Sequence, residues 1–253
     1  MITTATEMKN NFGHYLKQVI DLHSEVIITK NNQKVACLIP YNHTYDQTIG
    51  DDRHFTLNDA AADYIYDRKT VSYDEFMRIY ERSDSRMEYI NGEIWLMTSP
   101  GMNHQKILGD LYVLFRKYFE GKPCKPFLAP FDVHFRKIDV DVPDVMQPDL
   151  LVIGDFEGHI DEQDKYMGTP ALVLEILSDS TRSKDMVYKL NTYLSSGVGE
   201  YWIVDPKSKT ILLYEFVDHA IERFTQYKEG EVVFSGKFEG LSVNVSELFA
   251  DWM

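Results

Sequence analysis

Two continuous apolar runs, each carrying a single carboxylate, constrain the fold of this chain most strongly. One run spans residues 147–153 and carries Asp149, and the other spans residues 171–178 and carries Glu175. Apolar runs of this length are typical of strands covered on both faces, which predicts an α/β protein with a mixed α+β sheet. A carboxylate is costly to bury in such a strand unless it is paired or bound to a cation.

The two carboxylates would form one site if their strands are neighbours in the sheet. Carboxylate oxygens are hard ligands that suit Mg²⁺ or Mn²⁺. The alternative is that each carboxylate lies at a strand end, where it caps a helix or pairs with an arginine. The two runs alone leave both interpretations open.

Composition narrows the class of protein. With 253 residues, 44% of them hydrophobic, the chain is long enough for a folded core in one large domain or in a small and a medium one. We expect a cytoplasmic protein without a membrane segment, because no apolar run reaches membrane-spanning length and there are only two cysteines. The net charge of −14 argues against non-specific binding of nucleic acid, although carboxylates that bind a metal still allow a nuclease.

The first 45 residues have the pattern of a small separate unit. Thr4 to Glu7 form a capping box that predicts a helix, and residues 26–29 and 35–39 predict a hairpin. Residues 1–46 hold four lysines and four acidic residues, so the negative charge lies in the rest of the chain. A helix and a hairpin of this size are too small to be stable alone, and we therefore expect the unit to form a homodimer.

This unit resembles the N-terminal domain of Phd/YefM-type antitoxins over about residues 1–45. The resemblance rests on residues 5–12, 26–31 and 36–40. It implies dimerisation and binding of operator DNA, with Lys9 and Asn11 as candidate DNA contacts. The toxin-binding tail of that family is not recognisable here, which leaves a toxin partner unresolved. The alternative is a dimerisation module without a role in DNA binding.

Residues 46–70 are predicted to be a linker, and residues 71–253 a second domain of mixed α/β type. An Asn91-Gly92 pair between two apolar runs predicts a hairpin. Helices are predicted over residues 73–80, 103–119 and 182–195. Strands are predicted near residues 124–136, 147–153, 171–178, 201–205, 210–216, 221–227 and 232–234.

Several stretches of this domain resemble the Uma-type restriction endonucleases of the PD-(D/E)XK superfamily, from about residue 71 to residue 253. These stretches are residues 87–94, His104, residues 147–150, 175–181 and 184–193, and residues 197–205. The resemblance implies a restriction-endonuclease-like core flanked by helices and a Mg²⁺- or Mn²⁺-dependent endonuclease that acts on DNA. The rival hypothesis is a non-catalytic DNA-binding regulator, or an antitoxin-like protein, that retains the nuclease scaffold.

The resemblance assigns the central roles. Asp149 and Glu175 would hold the divalent ion, and the carbonyl of Ile176 is a possible further ligand. The superfamily has a lysine two residues after the glutamate, but Leu177 stands there in this chain. We expect Lys189 to replace it, since Asp185, Lys189 and Tyr193 recur at a spacing of four on one helix face. The alternative is that Asp185 and Lys189 form only a surface ion pair.

The remaining candidates surround these residues. Glu88 would complete the metal shell or pair with Arg86. His104 would contact phosphate or a site carboxylate, unless it is purely structural. Gln147 lies two residues before Asp149, so a continuous strand would bring both to one face, where Gln147 could contact water or substrate. Ser178 and Tyr193 are expected to support the metal ligands.

Overall fold

The computed structural model describes residues 2–10, 15, 26–30, 33–38, 70–138, 140–162, 166–178, 182 and 184–250. The chain divides into two compact units, Met1–Phe55 and Thr56–Met253. All but the last residue of the predicted linker lies outside the described residues, as does Asn11. Within the described parts of the chain, no helix is long and apolar enough to span a membrane.

The first unit contains a three-stranded sheet and a short helix. Its elements are β1 (Ile2–Thr4), α1 (Ala5–Asn10), β2 (Val26–Lys30) and β3 (Gln33–Leu38), with the strands in the order β1-β2-β3. The predicted capping box is confirmed, because the Glu7 N–H donates to the Thr4 hydroxyl over 3.1 Å and the Thr4 N–H donates to the Glu7 carboxylate over 3.2 Å. The hairpin β2–β3 is confirmed as well, whereas strand β1 was not predicted. Lys9 lies in α1.

The second unit contains two larger sheets, a small hairpin sheet and several helices. Its strands are β4 (Met87–Ile90), β5 (Glu93–Leu96), β6 (Lys125–Leu128), β7 (Val133–Phe135), β8 (Asp144–Met146), β9 (Leu150–Ile153), β10 (Leu172–Ile176), β11 (Glu200–Asp205), β12 (Thr210–Val217), β13 (Ala220–Tyr227), β14 (Val232–Phe234) and β15 (Ser242–Asn244). Its helices are α2 (Tyr73–Tyr80), α3 (Met102–Tyr118), a π-helix (Lys184–Lys189), α4 (Leu190–Ser195) and α5 (Val245–Leu248).

The central sheet has six strands in the order β13-β12-β11-β10-β9-β6, with β10 and β11 parallel and the other pairs antiparallel. Alternate residues of β9, β10 and β11 enter two different hydrophobic clusters, one on each face of the sheet. Helix α3 packs on one face through Ile107, Leu111 and Phe115, and Tyr193 of α4 packs on the other. The prediction of strands buried on both faces is confirmed.

The second sheet has the order β5-β4-β8-β7 and carries Glu88 on strand β4. Its first hairpin turns at Asn91 and Gly92, whose φ angles are 52° and 87°. An Asn-Gly pair suits this turn because both residues tolerate positive φ, and the predicted hairpin is confirmed. The strand brings Glu88 into the interior of the unit, where its side chain is fully buried.

Two predicted strands have different boundaries in the structure, and several elements were not predicted. The strand expected over residues 147–153 begins only at Leu150, since residues 147–149 connect β8 of the second sheet to β9 of the central sheet. Pro148 lacks the N–H that a ladder needs, which explains the break. The run 124–136 forms two strands in different sheets. Strands β8 and β15 and helix α5 were not predicted.

The two-faced burial of β10 gives a test of the core. Leu174→Ala should lower the free energy of unfolding by about 2–5 kcal/mol, because Leu174 is fully buried in the middle of the sheet. The matched control is Val113→Ala on helix α3, where Val113 is 67% exposed and should matter little. Urea unfolding followed by circular dichroism measures both, and equal effects would contradict this assignment of the core.

Candidate active site

Asp149 and Glu175 lie beside each other at one edge of the central sheet. Strands β9 and β10 are antiparallel with Leu150 opposite Leu174, so the next residue pair in this register is Asp149 and Glu175. The Ile176 N–H donates to Oδ2 of Asp149 over 2.8 Å and fixes that carboxylate. Neighbouring strands therefore bring together the two carboxylates that the sequence singles out.

Lys189 reaches this edge from the π-helix. Its Nζ atom lies 2.7 Å from Oε1 of Glu175, 2.9 Å from Oε1 of Glu88 and 3.5 Å from Oδ1 of Asp185. The side chains of Lys189 and Asp185 are only 2% and 3% exposed, so the alternative of a surface ion pair is wrong. The lysine ammonium is surrounded by three carboxylates from three different elements.

Glu88 is a partner of lysines rather than of Arg86. Lys184 donates to its Oε2 atom over 2.6 Å, and the backbone N–H of Gln147 donates to its Oε1 atom over 3.0 Å. Arg86 donates instead to the side chain of Gln147. The alternative in which Glu88 pairs with Arg86 is therefore wrong, and Glu88 belongs to the buried cluster around Lys189.

Sequence reasoning did not give Lys184 a role in the site, and the reason is the type of helix. Lys184 and Lys189 are five residues apart, a spacing that places side chains on different faces of an α-helix. Residues 184–189 form a π-helix, in which hydrogen bonds join residues five apart and bring both lysines to one side. The sequence signal that could have identified Lys184 is its position in residues 184–193, a stretch that carries the family resemblance.

Protonation of the cluster follows from burial and from its crowded negative charge. Burial raises the pKa of Glu175, and the carboxylates of Asp185, Asp149 and Glu88 raise it further against the opposing effect of Lys189. The pKa of Glu88 is lowered, because Lys189 and Lys184 outweigh the effect of its burial. The carboxylates of Glu175, Glu88 and Asp185 raise the pKa of Lys189 and outweigh its desolvation, so the lysine stays charged.

His104 and Tyr193 support the two central carboxylates. Nε2 of His104 lies 3.1 Å from Oδ2 of Asp149, and the Tyr193 hydroxyl donates to Oε1 of Glu175 over 2.6 Å. Although burial lowers the pKa of His104, its hydrogen bond and charge interaction with Asp149 give a net rise. The expected contact of His104 with a site carboxylate is present in the structure.

The expectation that Gln147 and Asp149 lie on one face of a continuous strand is wrong. Since Pro148 interrupts the strand, Gln147 and Asp149 do not share a strand face. The Gln147 side chain instead accepts from Arg86 and donates to Asp132 over 2.7 Å. Sequence reasoning missed Asp132, which lies in a connection without a distinctive motif.

A cavity of about 320 Å³ opens beside these groups. Its lining includes the following residues from the site: Arg86, His104, Asp149, Glu175, Ile176, Ser178, Lys184, Asp185 and Lys189. Ser178 thus borders the site. The carboxylates of Asp149, Glu175 and Asp185 thus share one concave surface with the two lysines and the arginine.

The donor set fits Mg²⁺ or Mn²⁺. When Glu175 is deprotonated, the four carboxylates of Asp149, Glu175, Glu88 and Asp185 exceed the two ammonium groups of Lys184 and Lys189 by two charges, which a divalent cation would balance. Among the described residues, no three His, Cys, Asp or Glu side chains form a ready metal cage. Mg²⁺ needs no such cage, since it binds through one or two carboxylates and keeps several waters.

The fold and the site define a protein of the restriction-endonuclease-like class. The chain belongs to the Uma2 family, described as "Putative restriction endonuclease", whose model matches residues 73–246. A second family model, that of the Phd/YefM antitoxins of type II toxin–antitoxin systems, matches residues 1–63. Both resemblances found in the sequence are confirmed.

The chain is also similar to one protein by sequence and to one solved structure by fold. It is 28% identical over 145 residues to the uncharacterized protein slr1290 of Synechocystis, an alignment that covers 57% of this chain and 73% of the relative. A solved structure described as a "putative nuclease belonging to DUF820" from Anabaena variabilis aligns with a TM-score of 0.58 and 20% identity. That alignment covers 71% of this chain and 97% of the other, and it supports the fold.

The charge balance around Lys189 gives a test of the site's stability. Lys189→Met should lower the free energy of unfolding by about 3–5 kcal/mol at neutral pH, because it leaves buried carboxylates without their cation. The deficit should shrink as the pH falls, since protonation then neutralises Glu88, whose carboxylate is the charged partner of Lys189 at neutral pH. Lys228→Met, at an exposed position, is the matched control. A deficit that does not change with pH in urea unfolding would contradict the proposed charge balance.

Proposed function

We propose that this protein is a Mg²⁺- or Mn²⁺-dependent endonuclease that hydrolyses DNA phosphodiester bonds. The proposal is supported by the convergence of Asp149, Glu175 and Lys189 on one cavity in a chain of a nuclease family. The acidic charge of the whole chain does not oppose it, because lysine and arginine side chains line the cavity itself.

Asp149 and Glu175 would hold the divalent ion, with the backbone carbonyl of Ile176 as a further oxygen ligand. When bound, such an ion lowers the pKa of a coordinated water and neutralises charge on the phosphate. The Ile176 N–H and His104 orient Asp149, and Tyr193 orients Glu175. Each of the two carboxylates is thus held in place by a hydrogen bond from the protein.

Lys189 would take the role of the lysine that the superfamily has two residues after the glutamate. Leu177 packs in the hydrophobic cluster on one face of the sheet, whereas Lys189 brings its ammonium to 2.7 Å from Glu175. A charged lysine at this position orients the attacking water or stabilises negative charge on the phosphate. The cation would thus come from the π-helix instead of from strand β10, and its role beside Glu175 would be the same.

We propose further that the N-terminal unit forms a homodimer and binds DNA. Its support is the match of residues 1–63 to the Phd/YefM antitoxin model. The second candidate function, a DNA-binding regulator or antitoxin-like protein with an inactive nuclease scaffold, is favoured by the same match and by Leu177. A toxin partner belongs to this second candidate.

The decisive test is cleavage of supercoiled plasmid with Mg²⁺ or Mn²⁺. Asp149→Asn, Glu175→Gln and Lys189→Met should each reduce cleavage by at least about a hundredfold, since each removes a ligand or the catalytic cation. Asp110→Asn, at an exposed position on helix α3, should cleave like the wild type. DNA binding that survives Asp149→Asn, is lost without residues 1–45 and is never accompanied by cleavage would support the regulator instead.

Metal binding should depend on pH because Glu175 must lose its proton to become a ligand. Burial and neighbouring carboxylates raise the pKa of Glu175 to about 8, so its protonated form competes with the ion below that pH. The affinity for Mn²⁺ should therefore rise by about tenfold per pH unit up to that range and then level off. Calorimetry at several pH values measures this, and an affinity independent of pH would rule out Glu175 as a ligand.

A further inference from the structure

Arg86 lines the same cavity as Asp149 and Glu175. It directly precedes strand β4 and lies two residues before Glu88, the buried partner of Lys189. Residues two apart along an extended chain project to the same side, which explains how Arg86 reaches the cavity. No role in the site is yet assigned to it.

The guanidinium of Arg86 is held by a neutral group. Its Nε and Nη2 atoms donate to Oε1 of Gln147 over 2.9 and 2.7 Å. A guanidinium has five N–H donors, and this contact uses two of them. Within the described part of the chain, no carboxylate forms an ion pair with Arg86, whereas Lys184, Lys189 and His104 each contact at least one.

Gln147 is itself fixed in one orientation. Its Nε2 atom donates to Oδ1 of Asp132 over 2.7 Å, and the Tyr80 hydroxyl donates to Oδ2 of Asp132 over 2.6 Å. Because Asp132 accepts from the amide nitrogen, the amide oxygen of Gln147 must be turned to Arg86. The contact chain Tyr80–Asp132–Gln147 therefore determines where the guanidinium lies.

We infer that Arg86 binds a non-bridging oxygen of the substrate phosphodiester and that Gln147 is its positioning residue. The inference rests on the proposed function and extends it to substrate recognition. A planar guanidinium matches phosphate oxygens with two parallel hydrogen bonds, which a lysine ammonium cannot do. The neutral partner leaves the positive charge of Arg86 available to the phosphate anion.

The test uses bis(4-nitrophenyl) phosphate with Mn²⁺ and the full-length protein. This small phosphodiester reports on the cavity without depending on DNA contacts elsewhere. Arg86→Met should raise KM by about 10- to 100-fold and lower kcat less, because it removes a charge-assisted hydrogen bond to substrate. The affinity for Mn²⁺ should be unchanged. Arg116→Met, an exposed arginine on helix α3, should have wild-type constants.

Two further variants separate positioning from charge. Gln147→Met keeps the guanidinium but releases it, and Arg86→Lys keeps the charge but loses the planar fork. Each should raise KM by about threefold or more, and less than Arg86→Met. If Arg86→Met does not fold, Arg86→Lys decides the question. A folded Arg86→Met with the wild-type KM, or one that loses Mn²⁺ binding together with hydrolysis, would overturn the inference.

Failure of the proposed function would be visible separately. If the wild type hydrolyses no phosphodiester with any metal, the proposed endonuclease activity is wrong. In that case, calorimetry of bis(4-nitrophenyl) phosphate binding in the presence of Ca²⁺, with the wild type and Arg86→Met, tests the role of Arg86. A Kd at least about tenfold weaker in Arg86→Met supports anion binding by Arg86, and equal Kd values overturn it.

Discussion

The buried ammonium of Lys189 is the interaction on which the candidate site depends. It contacts Glu88 from the second sheet, Glu175 from the central sheet and Asp185 from its own helix. A charge removed from water in this way is tolerated only because its partners and hydrogen bonds surround it. The same contact therefore joins the two sheets and brings a cation to the carboxylates.

The side chains around this cluster fix its carboxylates through hydrogen bonds. Tyr193 contacts Glu175, His104 contacts Asp149, and Lys184 donates to Oε2 of Glu88. Gln147 connects the carboxylate cluster with Arg86, since its backbone N–H donates to Glu88 and its side-chain oxygen accepts from Arg86. Connections of this kind preorganise a site, so that little reorganisation remains when a substrate binds.

Local patterns in the sequence predicted most of the second unit, because apolar alternation and the Asn-Gly turn are local signals. They predicted that Asp149 and Glu175 belong to two buried runs and identified the helical segment that carries Lys189, although Asp149 itself lies just before β9. They failed where geometry departs from ideal elements. The π-helix obscured Lys184, and Pro148 removed Gln147 from the strand face of Asp149. Asp132 was missed because only tertiary contacts give it a role.

The most direct test of this account is a crystal structure of the protein soaked with Mn²⁺, with the ion located by its anomalous signal. The account predicts one peak within about 2.5 Å of oxygens from both Asp149 and Glu175, with the ammonium of Lys189 within about 4 Å of it. Ordered Mn²⁺ bound elsewhere, or no peak at saturating Mn²⁺ with Lys189 still bound to Glu175, would contradict it.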